Sequence, residues 1–345
     1  MKKILLLLML VAVSSTTAIG NEIDLSGTGW KAWLDPSASW QNDTLYLPDE
    51  LHDNGALSKL PVNQPTGGWQ VLGEVGKNVS VPMTIDEYFL DGINTNTYTG
   101  VSWVWRTFEV PEDWKGKVLL LQVEKARMRA EVYINQKLAA YDVVGETPFQ
   151  FDVSPYLNCG AVNHIAIRLT NPGGRRGWMD EPLRWGRRYN FSSAGINFST
   201  LGHVRIAARD QVFIEDVFVK NLLPAGSRNV EVVLTVNNKS ARNVQAVLPV
   251  TVTDLNGSQE LVSRELSKKL PPGLSTARLE LTLSGADLWA PETPVLYNCR
   301  AEVKADGISD IFNQRFGVRV IQWLSGDSGE HNFYLNGKRF FVKTA

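Results

Sequence analysis

The chain has 345 residues, 43% of them hydrophobic and 21% charged, which is enough for two domains rather than one small core. Lys+Arg number 35 against Asp+Glu 36, a formal net charge of -1; with no global field for a polyanion, nucleic-acid binding is set aside. Tryptophan is the unusual entry in the composition, with 11 residues, nine of them before residue 200.

Residues 1–20 read as an export signal. Lys2 and Lys3 precede an unbroken apolar run from Ile4 to Val13, and Ala18 and Gly20 stand where a signal peptidase reads small residues. The run is too short to span a bilayer. A mature start near Asn21 is expected, in the periplasm or outside the cell. No Cys sits at the junction to carry a lipid, and no later run of about 18 apolar residues suggests a membrane span.

From there on the pattern has period two, which places apolar side chains on one face of a strand. Ala130, Val132 and Ile134 alternate with Glu131, Tyr133 and Asn135. Ile165, Ile167 and Leu169 repeat the pattern, as do Val230, Val232, Leu234 and Val236. Leu248, Val250 and Val252 follow, then Ala277, Leu279, Leu281 and Leu283. Asn256-Gly257, Asp306-Gly307 and Asn336-Gly337 supply hairpin signals, since these pairs accept positive φ. The fold class is all-β.

Long loops rich in Gly, Pro and Trp, at 48–100 and 171–200, give way near residue 210 to about seven short strands over 211–322. The expected division is a first sandwich over 21–210 and an immunoglobulin-like sandwich over 211–322, then a polar linker and one hairpin over 323–345.

Several short matches carry no chemistry. Gly27-Thr28-Gly29-Trp30-Lys31-Ala32 lacks the preceding strand and following helix of a dinucleotide site. Gly326-Asp327-Ser328-Gly329 lacks the context that would complete a serine-protease triad. His52, His164, His203 and His331 show no ligand spacing, so neither metal nor cofactor is expected. Cys159 and Cys299 read as two unpaired thiols in separate domains.

The segment Gly100–Leu169 contains Gly-Val-Ser-Trp-Val-Trp-Arg-Thr-Phe-Glu-Val-Pro, then Trp114-Lys115-Gly116-Lys117 and Ala130-Glu131-Val132-Tyr133-Ile134-Asn135. Thr147-Pro148-Phe149-Gln150-Phe151-Asp152-Val153 follows. In order and spacing this resembles the N-terminal sugar-binding jelly roll of glycoside hydrolase family 2. Leu288-Trp289-Ala290-Pro291-Glu292-Thr293-Pro294-Val295-Leu296-Tyr297 and Arg315-Phe316-Gly317-Val318-Arg319 resemble that family's immunoglobulin-like domain. Phe333 to Lys343 resembles the hairpin that opens its (β/α)8 barrel. Val104 and Trp105 depart from the family's usual Tyr and basic residue, and Gln136 stands where Gly is usual after Asn135. Ser199 and Thr200 blur the Gly-Ile pattern that usually precedes Gly202-His203-Val204. These departures leave the sugar preference open.

The resemblance implies a retaining mechanism by two glutamates, the first following an Asn, with carboxyls about 5–5.5 Å apart. The Asn-Glu pair of this chain is Asn21-Glu22, at the expected cleavage junction. No catalytic pair is therefore assigned to the chain.

Residues 171–192 are the candidate binding loop, carrying five arginines against Asp180 and Glu181. Sugars offer C–H faces to flat rings and hydroxyls to carboxylates and guanidiniums. Trp178, Trp185 and Tyr189 supply the rings; Asp180, Glu181 and Arg175 supply the polar groups. The same loop also reads, and slightly more readily, as a surface that docks against a barrel, with arginines pairing to carboxylates. Trp103, Trp105 and Trp114 are expected in the core or on a sheet face, and Trp69, after Gly67-Gly68, is an outside candidate for sugar contact.

The reading is thus the non-catalytic N-terminal part of an exported glycosidase, its partners being a glycan and the absent barrel, with the chain inactive by itself. The alternatives are a stand-alone carbohydrate-binding or adhesion module and a truncated gene product.

Overall fold

The computed structural model describes residues 21–39, 57, 62–89, 100–127, 129–142, 145, 147–171, 199–325 and 331–341. Residues 1–20, read above as an export signal, and residues 172–192 of the candidate loop lie outside them. The chain divides into two compact units, Met1–Ala208 and Arg209–Ala345. Both are built from antiparallel strands.

The first unit is a sandwich. Its larger sheet has six strands in the order Lys77–Val81, Gly27–Asp35, Gly100–Val110, Ala161–Asn171, Arg129–Ile134 and Lys137–Asp142. The facing sheet has four, in the order Glu22–Asp24, Val204–Arg209, Val118–Val123 and Phe149–Asp152. A small sheet of Met83–Thr84, Thr200–Leu201 and Ala126–Arg127 completes it. The alternation seen in the sequence selects the inward face: Ala130, Val132, Ile134, Ile165, Ile167 and Leu169 are fully buried in one cluster with Ile23, Leu121 and Ile206 of the facing sheet. Each of the Val, Ile and Leu side chains contributes about 1.5–3 kcal/mol by leaving water. Trp30 and Trp114 lie in this core, and Trp30 Nε1 donates to Leu25 O at 2.6 Å, so its one polar atom is satisfied. The glycines of Gly27-Thr28-Gly29 open a strand, not a strand-to-helix turn.

The sandwich of the second unit has seven strands in two sheets. Val212–Asn221, Asn229–Asn238 and Gly273–Thr282 form one; Glu260–Leu270, Val244–Asp254, Tyr297–Ala305 and Ile308–Phe316 form the other. Val230, Val232, Leu234, Val236, Leu248, Val250 and Val252 are all buried between the sheets. Cys299, Ala301 and Val303 join them from Tyr297–Ala305.

The turns follow the residue chemistry. Asp306 and Gly307 take φ 49° and 79°, Asn336 and Gly337 take 52° and 78°, the signature of a two-residue hairpin with both central residues left-handed. At Asn256-Gly257 only Gly257 is left-handed, because the loop is longer. Asp254 caps it, accepting from Ser258 Oγ at 2.7 Å and Gln259 N at 3.0 Å.

Three separated sequence motifs meet in this unit. Trp289 N donates to Val318 O at 2.9 Å, and the Arg319 guanidinium lies 4.4 Å over the Trp289 ring. Asn336 Nδ2 donates to Trp289 O at 3.0 Å, while Asn336 Oδ1 accepts from Val320 N at 3.0 Å. Asn336 thereby ties the three-stranded sheet of Ile321–Ser325, His331–Leu335 and Lys338–Arg339 to the Trp289 and Val320 segments.

Candidate functional site

Arg175, Trp178, Asp180, Glu181, Trp185 and Tyr189 lie outside the described residues. What is described is the frame on which their segment is mounted. Ala161–Asn171 ends with Thr170 opposite Arg129 and Asn171 opposite Gly100. The chain re-enters with Thr200 opposite Arg127 on one side and Thr84 on the other. Arg127 and Arg129 are two residues apart, so chain geometry brings the two anchor points within roughly 7 Å.

The outer face of the six-stranded sheet, turned away from the sandwich core, carries the polar part of this frame. Across it, Trp33, Trp103, Arg168, Glu131 and Tyr141 stand in one register row. Arg168 and Glu131 form an ion pair with both side chains essentially inaccessible to water. Arg168 also donates to Thr170 Oγ1 at 3.2 Å and to Ser39 O at 2.9 Å. Glu131 Oε1 accepts from Asn63 Nδ2 at 2.7 Å and from the Tyr133 hydroxyl at 3.3 Å. Tyr133 Oη in turn accepts from Asn63 N at 3.0 Å. Burial, helped by the Glu131 charge, pushes the Tyr133 phenol far above its usual range, so it stays a neutral donor. Arg129 donates to the same Thr170 hydroxyl at 3.2 Å.

The network fastens crossing segments to the sheet. Asp35 Oδ2 accepts from Trp103 Nε1 at 3.2 Å and Thr66 N at 2.9 Å. Trp69, from the short 3-10 turn Trp69–Gly73, packs edge-on against Trp103 at 5.6 Å and Tyr133 at 5.1 Å. Trp105 presses on Gly76, where an added Cβ would sit 2.5 Å from the indole. Trp103 and Trp114 are buried and Trp105 is half-buried, as sheet and core residues. Trp69 is a packing residue in this frame, with its ring engaged by other aromatic rings.

Sequence reasoning missed the Arg168–Glu131 pair. Both stand at the polar positions of alternating strands, which period-two logic assigns to solvent. The only available signal was their opposite charge, and pairing register is invisible before the strands are aligned.

Other candidate chemistry is placed plainly. Glu22 lies on the edge strand Glu22–Asp24 with its carboxylate 3.6 Å from Arg205, and both are well exposed. Cys159 and Cys299 are free thiols, one in each unit. Among the described residues no group of three or more His, Cys, Asp or Glu side chains is placed to hold a metal ion.

Known proteins match both units. Residues 39–183 match the family described as "Glycosyl hydrolases family 2, sugar binding domain", and residues 212–319 match "Glycosyl hydrolases family 2". The chain belongs to glycoside hydrolase family 2.

Among family 2 relatives, a β-glucuronidase of Formosa agariphila is 25% identical over 254 residues, covering 71% of this chain and 25% of the relative. A β-galactosidase of Thermoanaerobacter pseudethanolicus is 25% identical over 309 residues, covering 86% of this chain and 36% of the relative. In fold, a family 2 member from Bacteroides cellulosilyticus superposes with a TM-score of 0.68 at 19% identity, covering 92% of this chain and 38% of that structure. A β-glucuronidase of Bacteroides uniformis gives 0.66 at 19% identity, covering 92% and 34%. The family 2 chain described here therefore spans about a quarter to two-fifths of the length of these relatives. It carries the family's sugar-binding and second sandwich domains.

Proposed function

We propose that this chain serves as the non-catalytic, sugar-facing portion of an exported family 2 glycosidase that removes terminal β-linked sugars. The observation that carries this reading is the ordered pair of family matches, 39–183 then 212–319, shared with relatives named β-galactosidase and β-glucuronidase. Export rests on the leader pattern of residues 1–20. Asp180, Trp178, Trp185, Arg175, Glu181 and Tyr189 are assigned to glycan contact or barrel docking, on the reasoning that irregular segments mounted on a rigid sandwich concentrate binding residues. The anchors at Arg129 and Arg127 hold the two ends of that segment near each other.

Hydrolysis itself is assigned to a (β/α)8 barrel, the partner of this chain. The test is to measure release of p-nitrophenol from the aryl β-galactoside and β-glucuronide, with the chain alone and with a family 2 barrel supplied as a separate polypeptide. The expected result is no turnover by the chain alone and a rate increase for the barrel when the chain is added. Turnover by the chain alone, or a barrel indifferent to it, would overturn the reading.

A further inference from the structure

Two strands of the small sheet, Met83–Thr84 and Thr200–Leu201, floor a surface cavity of about 490 Å³. Its volume falls within the range of ordinary small-molecule sites. Pairing of Thr84 with Thr200 and of Met83 with Leu201 sends the two apolar side chains into the core and leaves the two threonines on the cavity side. Pro82 and Pro148 add exposed apolar walls; Glu87, Glu124 and Lys125 add charge.

Glu124 is pre-oriented. His203 N donates to its Oε2 at 3.2 Å, and the His203 ring nitrogen Nε2 lies 4.0 Å from the same atom. The far side of that ring is held in turn, with Nδ1 3.0 Å from Ser26 Oγ. Gly202 keeps the space beneath open. A Cβ there would meet Lys125 N at 3.1 Å and Glu124 Oε2 at 3.2 Å.

We propose that this cavity binds one neutral saccharide unit, with Glu124 and Lys125 pairing to its hydroxyls and the proline walls meeting its C–H face. Carboxylates, an ammonium and threonine hydroxyls grouped beside apolar surface match a ligand that is polar at its rim and apolar on its face. Two carboxylates against one ammonium select a neutral hexose over a uronic acid, because a third carboxylate would be repelled. The assignment rests on the carbohydrate reading above and adds Glu124, Lys125, Thr84 and Thr200 as a contact point.

The test uses the whole chain, titrated calorimetrically with methyl β-galactopyranoside and with methyl β-glucopyranosiduronate. The galactoside is expected to bind with a dissociation constant on the order of millimolar, and the uronide at least ten-fold more weakly. Glu124→Gln and Thr84→Val should each weaken galactoside binding at least five-fold with an unchanged melting temperature. Glu87→Gln, at an exposed position, serves as a further variant and should narrow the gap between the two sugars. Tighter binding of the uronide, or unchanged galactoside binding in both Glu124→Gln and Thr84→Val, overturns the site. Loss of binding in Trp178→Ala alone also overturns it, while leaving the proposed function standing. Absence of any galactoside binding by the wild-type chain overturns the site too, whereas the barrel-addition assay judges the proposed function separately.

Discussion

Arg168 and Glu131 face each other in register on neighbouring antiparallel strands, both buried on the sheet face turned away from the sandwich core. A pair in this position is stable only while each charge has its partner, because the desolvation cost of a lone buried ion exceeds what other contacts return. Arg168→Met and Glu131→Leu should each destabilise the first unit by about 3–5 kcal/mol. The double substitution should recover most of the loss, since both buried charges are removed together. Urea unfolding followed by tryptophan fluorescence measures this. Single variants within 1 kcal/mol of wild type would show that the pair is not the clasp described.

The hairpin between Arg129–Ile134 and Lys137–Asp142 turns at Asn135 and Gln136, with φ of 50° and 67°. Asn tolerates this region; Gln carries a Cβ penalty there of roughly 1–2 kcal/mol. Gln136→Gly should relieve it, offset in part by the greater entropy of glycine in the unfolded chain, for a net gain of about 1 kcal/mol. The melting temperature should rise by roughly 2–4 °C. A fall would mean that the Gln136 side chain contributes more than its backbone costs.

Trp69 separates packing from recognition. Its ring closes the cluster of Trp103 and Tyr133, so Trp69→Ala should cost about 3 kcal/mol by losing aromatic packing. Trp69→Phe should recover part of that. At a temperature where both variants are folded, retardation on an immobilised galactoside should match wild type. Retardation lost in the folded Trp69→Phe variant would instead make Trp69 a sugar contact.

Burial pushes the Cys299 thiol from its ordinary 9.0 up to about 12. Above the unfolded value the folded state holds a proton that the unfolded state has released, so stability should fall as pH rises from about 9 towards 12. Below pH 9 the group contributes no pH dependence. At pH 8, iodoacetamide should leave Cys299 unmodified until the second unit unfolds in urea. Cys159 is half-buried and its thiol is raised by burial and by the Glu112 charge, so it should react slowly in the folded chain. Prompt labelling of Cys299 under native conditions would contradict its placement in the core.

In the family 2 reading, the loop residues give a kinetic prediction. Asp180→Asn in the barrel-completed enzyme should lower kcat/KM at least ten-fold, about 1.4 kcal/mol of transition-state binding. Arg187→Ala, farther along the loop, should weaken barrel association if docking dominates. An unchanged kcat/KM in Asp180→Asn removes Asp180 from the sugar site.

How far the sequence reached depended on the kind of information each feature needs. Period-two alternation was sufficient to identify the buried faces, since Val230 to Val236 or Ile165 to Leu169 point inward whichever strands flank them. Asp306-Gly307 and Asn336-Gly337 were legible because positive φ is a property of the residues themselves. Asn256-Gly257 was half legible: the glycine marks the turn, but the loop length depends on where the strands pair. Motif order sufficed for the family. The candidate loop residues lie outside the described residues, and only their anchors can be placed.

The sequence by itself determined the two-sandwich architecture, the inward side of the strands that show period-two alternation and the family, because these follow from local periodicity and from motif order. Tertiary structure alone decided that Arg168 meets Glu131, that Trp289, Arg319 and Asn336 meet, and that Thr84, Glu124 and Thr200 share a cavity. Pairing register brings together residues tens of positions apart, and no spacing along the chain encodes it. The tryptophans among the described residues before 200 are explained in the same way. Strand alternation places Trp30 in the core and Trp103 on the opposite face, and only the crossing of Trp69–Gly73 over that face turns Trp69 into a clasp.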